Sequence, residues 1–359
     1  MFQDISCLEE IPIPDSLQPT IFIQNSLIKL VKNECVDKFC RIILESEQYK
    51  TKIIVEKLAE ELVILSQIRQ NRFHLISRIC QNLFSESYYK EQLRPLLLRR
   101  IFRESSYYLL LCLYNDQIYS QNDIMNLILE QKRSDFAMYF APEFGLIDTS
   151  IMIPKQWVKK VIKHLSDYQA NDWALFKEYR TLGWLPNSIV AAIKKDDLDA
   201  LLDFEVDSRF NINNFIEASP LEPFRLPRVN TYMSLAAIFG SINCFKLFYQ
   251  SDIPVTDRIM HSAIAGGNYE IVRICARSVC DGFEAAIEYR QNEIMDWLLQ
   301  NSLCKISSAV CMDWNNLLAA LYLSDKTETN EILIKGMNEI YEGKAIAMPE
   351  IVSSSSNYF

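Results

Sequence analysis

The chain has 359 residues, 49% of them hydrophobic and 23% charged, with a formal net charge of −9. That balance excludes a globally disordered chain, and the acidic surplus argues against a nucleic-acid binder, which carries a basic one. Only 8 Gly and 12 Pro interrupt it, so the composition favours helix over a strand-and-turn fold.

The opening stretch MFQDISCLEEIPIPDS (1–16) is acidic and lacks both a basic n-region and a long apolar core, so no signal peptide is expected there. NSLIKLVKNECVDKFCRIILES (25–46) places Leu27, Leu30 and Val31 on one stripe, then Val36, Phe39, Cys40 and Ile43 on another. The phase slips near Asn33, which predicts two helices joined by a short break. EKLAEELVILSQIRQNRFHLISRICQNLF (56–84) slips near Gln70-Asn71, and NDIMNLILEQKRSDFAMYF (122–140) near Lys132 to Ser134. Each reads as an antiparallel helical hairpin.

Two basic segments lie among these elements. LRPLLLRRIFR (93–103) carries Arg94, Arg99, Arg100 and Arg103, and IPKQWVKKVIKH (153–164) carries Lys155, Lys159, Lys160 and Lys163. In the second, Trp157, Val158, Val161 and Ile162 form an apolar stripe at helical spacing. A solvated helix face is the expectation for both, ahead of a phosphate or lipid contact. YYLLLCLY (107–114) is the longest apolar run and falls well short of the ~20 residues that cross a bilayer. The ten cysteines include no C-x-x-C pair and mostly sit inside apolar helical patterns. Free thiols in a reducing compartment are expected, placing the chain in the cytoplasm or nucleus.

The second half repeats itself. VAAIKKDDLDALLDF (190–204), LAAIFGSINCFKLFY (235–249), SAIAGGNYEIVRICA (262–276) and EAAIEYRQNEIMDWLL (284–299) stack in register. Ala192, Ala236, Ala263 and Ala286 share one column, and Asp196, Gly240, Gly267 and Arg290 share the turn column. Gly266-Gly267 offers two readings, a phosphate loop or a bend between helices. A phosphate loop follows a strand and opens one long helix. Here TDRIMH (256–261) reads as helix, and the sibling stretches carry Arg290 or Asp196 in place of the glycine. The bend is therefore expected, with Gly267 where positive φ is convenient.

AAIFGSINCFKL (236–247) and AIAGGNYEIVRI (263–274) resemble the ankyrin consensus, an alanine pair followed by a glycine-led turn and Glu-Ile-Val. The resemblance implies that His261 ties neighbouring repeats together by hydrogen bonds. The later repeats are spaced more closely than the ~33 residues usual for ankyrins, and the consensus Thr-Pro is missing, so the hairpin fingers would be shortened or absent. YFAPEFG (139–145), INCFKLFY, AIAGGNYEIVRIC and AAIEYRQNEIMDWLL look more closely like the large protist (trichomonad-type) family of ankyrin proteins that carry a helical domain of no established activity. That likeness covers about the last two thirds of the chain.

The expected fold is thus all-α, an α-solenoid of stacked helical hairpins. Residues 1–19 would be an extension, 20–184 a degenerate helical-hairpin domain, 185–345 an ankyrin-like array and 346–359, ending in SSSSNYF, a disordered tail. The expected function is recognition of a protein partner through the concave groove, without chemistry. In the ankyrin pattern the groove is lined by non-core positions of each first helix. Here they include Lys194, Lys195, Phe239, Glu288 and Tyr289, of which Phe239 and Tyr289 are either aromatic anchors for the partner or rings packed on adjacent repeats.

No catalytic, cofactor or metal residue stands out. His74, His164 and His261 fall in no H-E-x-x-H pattern, and zinc needs about four ligands. DDLDALLDFEVD (196–207) lacks the central glycine of a calcium loop. The rival readings are nucleic-acid or anionic-membrane binding by the basic segments, an enzyme with no recognisable motif, and self-assembly through uncapped ends.

Overall fold

The computed structural model describes residues 15–326 apart from 31, 70–71, 147–154, 206–210, 212–215, 217–218, 225, 227–230, 280–281, 302–309 and 312–313. The readings for residues 1–14, for the chain beyond Lys326, and for Cys7, Cys280 and Cys304 lie outside the described residues. Among the described residues every regular element is helical and no β-strand forms, so the protein is all-α.

The first half opens with α1 (Gln18–Lys29), α2 (Asn33–Glu45), α3 (Lys52–Ile68), α4 (Phe73–Leu83), α5 (Ser87–Arg103) and α6 (Tyr107–Asn115). The breaks after α1 and α3 fall where the apolar phase slips. α1 packs on α3 and α3 on α5, while α2 packs on α4 and α4 on α6, so successive hairpins lie side by side. α7 (Gln121–Gln131), α8 (Ser134–Tyr139), α9 (Ala141–Phe144), α10 (Gln156–Lys163) and α11 (Leu165–Leu182) follow. Local chemistry starts these helices. Thr51 accepts from the Ile54 amide, and Ser120 and Asp123 form a reciprocal capping box, which satisfies amides that a helix start leaves orphaned.

In α10 only part of the expected stripe is inward. Val158 and Val161 are buried, but Ile162 is 47% exposed, because the eight-residue helix turns a narrow face to its neighbours. Lys155, Lys159, Lys160 and Lys163 all face solvent. In the other basic segment Arg94 pairs with Asp123 at 2.7 Å and Arg100 with Glu60 at 2.8 Å, while Arg99 and Arg103 are exposed.

The second half contains α12 (Ile189–Lys194), α13 (Leu198–Glu205), α14 (Tyr232–Phe239), α15 (Ile242–Gln250), α16 (Asp257–Gly266), α17 (Tyr269–Cys275), α18 (Phe283–Glu288), α19 (Asn292–Gln300) and α20 (Leu317–Lys326). First helices stack in the order α12, α14, α16, α18, and second helices in the order α13, α15, α17. The alanine column lies between them: Ala192, Ala236, Ala263 and Ala286 are all buried, where only a small side chain lets the backbones approach.

Two large apolar clusters result. One runs from Ile23 to Phe176 and also takes in Leu221. The other runs from Val190 to Leu323 and includes Leu17 and Ile21 of the first helical region. Seven described cysteines are free thiols. Burial pushes Cys40, Cys244, Cys275 and Cys311 up to about 12, which leaves almost no thiolate at neutral pH. Iodoacetamide at pH 8 should therefore label exposed Cys35 rapidly and these four only on unfolding, as read by peptide mass spectrometry. Rapid native labelling of Cys244 or Cys275 would mean that the second cluster opens.

Candidate interaction surface and its internal occupant

Each hairpin of the second half turns through one residue in the left-handed region. Asp196, Gly240, Gly267 and Arg290 have φ of 53°, 69°, 73° and 51°, so the turn column of the sequence is a backbone column. Gly266-Gly267 ends α16, the Gly267 amide donates back to Ala263 O at 3.0 Å, and Asn268 caps α17 by accepting from Glu270 and Ile271. The glycine pair is a helix-to-helix bend.

The structure adds a fifth such turn. Asn315 has φ 50°, and the Asn316 amide donates to Cys311 O at 2.9 Å, as the Gln291 amide does to Ala286 O at 2.8 Å. Cys311 thus takes the place of the alanine and Asn315 that of the glycine.

From the second turn on, the residue after the turn reaches back to the preceding hairpin. Ser241 Oγ donates to Ile193 O at 2.6 Å, Asn268 Nδ2 to Gly240 O at 3.1 Å, Gln291 Nε2 to Ala265 O at 3.3 Å and Asn316 Nδ2 to Ile287 O at 3.0 Å. Asp196 instead caps the next hairpin, accepting from the Asn243 and Cys244 amides at 3.0 Å. The acidic stretch at 196–197 is therefore spent on helix starts, since Asp197 accepts from the Ala200 amide. Buried Asn316 also accepts from the Ala319 amide at 3.1 Å. Asn316→Ala removes a cap and a cross-hairpin bond, and should cost about 1–3 kcal/mol in urea unfolding.

His261 Nε2 lies 3.4 Å from Glu288 Oε2, and its ring meets Tyr289 edge-on with centroids 6.2 Å apart. His261 thus faces the next hairpin beside a carboxylate and a ring, but its buried Nε2 makes no hydrogen bond of the kind the ankyrin resemblance implies.

The five expected partner-binding residues are placed very differently from one another. Lys195 is exposed. Glu288 is mostly covered beside His261, with its side chain 10% exposed. Phe239 is half-buried under the Lys194 ammonium, 4.6 Å from the ring centre. Lys194 itself is drawn inward, and Tyr289 is fully buried. Tyr289 gathers with Ile68, Phe224, Ile238 and Ala265 in a small third cluster. In this fold Tyr289 is therefore core and presents no accessible ring, because two remote parts of the same chain lie over the first-helix face.

One of these parts is the segment around 219–226, which belongs to the long interval between α13 and α14. Glu222 accepts from Lys194 Nζ at 2.7 and 2.9 Å and from Trp184 Nε1 at 2.8 Å. Its side chain is 3% exposed. Burial pulls the Lys194 ammonium below the usual lysine range, and the Glu222 carboxylate pulls it partly back. Gly183, with φ +76°, is the only residue type that fits beneath: a Cβ there would lie 2.8 Å from Glu222 Cα. Phe224 packs over Tyr289 with centroids 6.3 Å apart.

The other part is the end of α3. Arg69 donates to Tyr289 O at 2.8 Å and Arg290 O at 3.0 Å. Buried Glu61 forms a two-pronged ion pair with Arg290 and accepts from Gln24 Nε2 at 2.8 Å. Sequence reasoning treats Arg290 as a turn residue only. Nothing local signals that its guanidinium seeks a carboxylate more than two hundred positions away.

Residues 251–323 match a family model described as a domain of unknown function, DUF3447. The match spans α16 to α19 and most of α20. No curated protein and no solved structure matches the chain. Among the described residues no group of three or more His, Cys, Asp or Glu is placed to hold a metal ion. Among them too, no helix is long and apolar enough to cross a membrane.

Proposed function

We propose that the second half of the chain is an ankyrin-like α-solenoid and that the protein is a non-enzymatic interaction scaffold, binding a protein partner across the first-helix face. The observation that carries this reading is the register of the turns. Left-handed residues recur at one position of the hairpins, and from the second turn on the following side chain reaches back to the hairpin before it. Such a stack builds a face from equivalent positions of successive first helices, covered around Tyr289 by Ile68 and Phe224 of the same chain.

Exposed Lys195 sits at the open edge of that face. A photo-cross-linking amino acid at Lys195, in the cell of origin, should capture one discrete protein species. The same probe at exposed Arg277, in the loop after α17, should not. Equal capture at both sites, or recovery of nucleic acid rather than protein at Lys195, would overturn the reading.

A further inference from the structure

We propose that the Glu222–Phe224 segment is an internal stand-in for the partner, and that the first-helix face takes an extended peptide presenting a carboxylate and an aromatic ring two residues apart. This inference rests on the scaffold reading and names the chemistry of its ligand. Three observations define the site. The carboxylate pocket is built: Lys194 Nζ and Trp184 Nε1 converge on one buried carboxylate, and Gly183 removes the side chain that would fill its floor. Lys194 also donates to Leu182 O and lies over the Phe239 ring, so the cation is fixed before any ligand arrives. The ring pocket is made of equivalent array positions, Ile238, Ala265 and Tyr289, closed by Ile68.

The occupant, by contrast, belongs to no helix over its described residues. The described part of it runs from Ser219 to Phe224, plus Leu226. Its ring belongs to the small third cluster, while Leu221 anchors the segment in the first large one. A buried ammonium that has lost its carboxylate is costly, so the pocket selects a replacement of the same charge. An apolar or basic peptide is rejected for the same reason. The partner then competes with a tethered mimic, and its apparent affinity falls by the fraction of molecules in which the pocket is free.

The test uses a fluorescein-labelled peptide SPLEPFRL, the sequence of residues 219–226, and fluorescence polarisation on the full chain. Glu222→Gln with Phe224→Leu keeps the segment's shape while removing its charge and ring. The peptide should bind this variant about tenfold or more tightly than the wild type. Lys194→Met in the same background should abolish that binding, and an unlabelled peptide with glutamine at its acidic position should fail to compete. Equal weak binding to the wild type and the folded variant would overturn the inference. So would a variant that no longer folds, since an exchangeable occupant must leave a stable array behind. The scaffold reading is judged separately: capture at Lys195 that persists when the peptide fails to bind keeps the scaffold and removes only the proposed ligand chemistry.

Discussion

Glu61→Gln is expected to lower the unfolding free energy by about 3–5 kcal/mol, read as a shift of the urea midpoint. Glu61 is fully buried and Arg290 almost so. Two charges in that position gain little over an apolar pair, because desolvation offsets their attraction. Removing one of them is different, since it strands the other in a medium that solvates it poorly. Arg290 would be stranded beside a second guanidinium. Arg69 is already pushed down to about 10, first by burial and then by the Arg290 charge. The carboxylate of Glu61 is what makes this cationic corner tolerable. Arg290→Met added to Glu61→Gln should therefore recover much of the loss, a coupling of the sign that a double-mutant cycle measures. A single-variant cost below about 1 kcal/mol would mean that the pair is hydrated and worth no more than a surface bridge.

The second large effect is expected at Gly266, where two rules conflict. Alanine is the better helix former by about 1 kcal/mol, and Gly266 closes α16 with helical geometry. A Cβ there, however, would lie 2.5 Å from both Ala237 O and Ile238 O. These are backbone atoms of the neighbouring first helix and cannot swing aside. Overpacking of this kind costs about 1–3 kcal/mol, so the steric term should win and Gly266→Ala should destabilise. Gly267→Ala serves as the comparison. Its φ of 73° strains any side chain, but the nearest obstacle is the movable end of Gln291. The expected cost is about 1 kcal/mol, the ordinary penalty of the left-handed region. If Gly266→Ala stabilises the protein, the close approach of α14 and α16 is not as described.

These two residues also show where the sequence was readable. The glycine pair and the phase slips near 33, 70 and 132 are local signals that correspond to a bend or break in the structure, and the alanine column is one that corresponds to close helix packing. Local signals follow from local physics. A left-handed turn tolerates few residues, and a buried stripe must recur every three or four positions.

The fifth turn carries no such signal, because Cys311 and Asn315 do the work of alanine and glycine with different letters. The covering of the first-helix face left no such trace. Ile68 and Arg69 come from a helix on the other side of the chain, and residues 219–226 have no periodicity to read. The one local hint was the long interval between Ala192 and Ala236, which has room for an additional segment. Register thus places Phe239 and Tyr289 on the first-helix face, while what covers them depends on contacts that only the folded chain brings together.

Gln24 carries a consequence for the chain as a whole. Its amide donates to Asn315 O at 2.7 Å, 291 positions away, and accepts from the Leu317 amide at 3.1 Å, 293 positions away. An open stack frays from its last unit, because that unit has a neighbour on one side only. Here the helix earliest in the described chain closes over the hairpin latest in it, so the two extremities share one fate. Loss of α1 would loosen the protein first at its far end, and the long closure that joins them makes for slow, all-together folding in place of unit-by-unit growth.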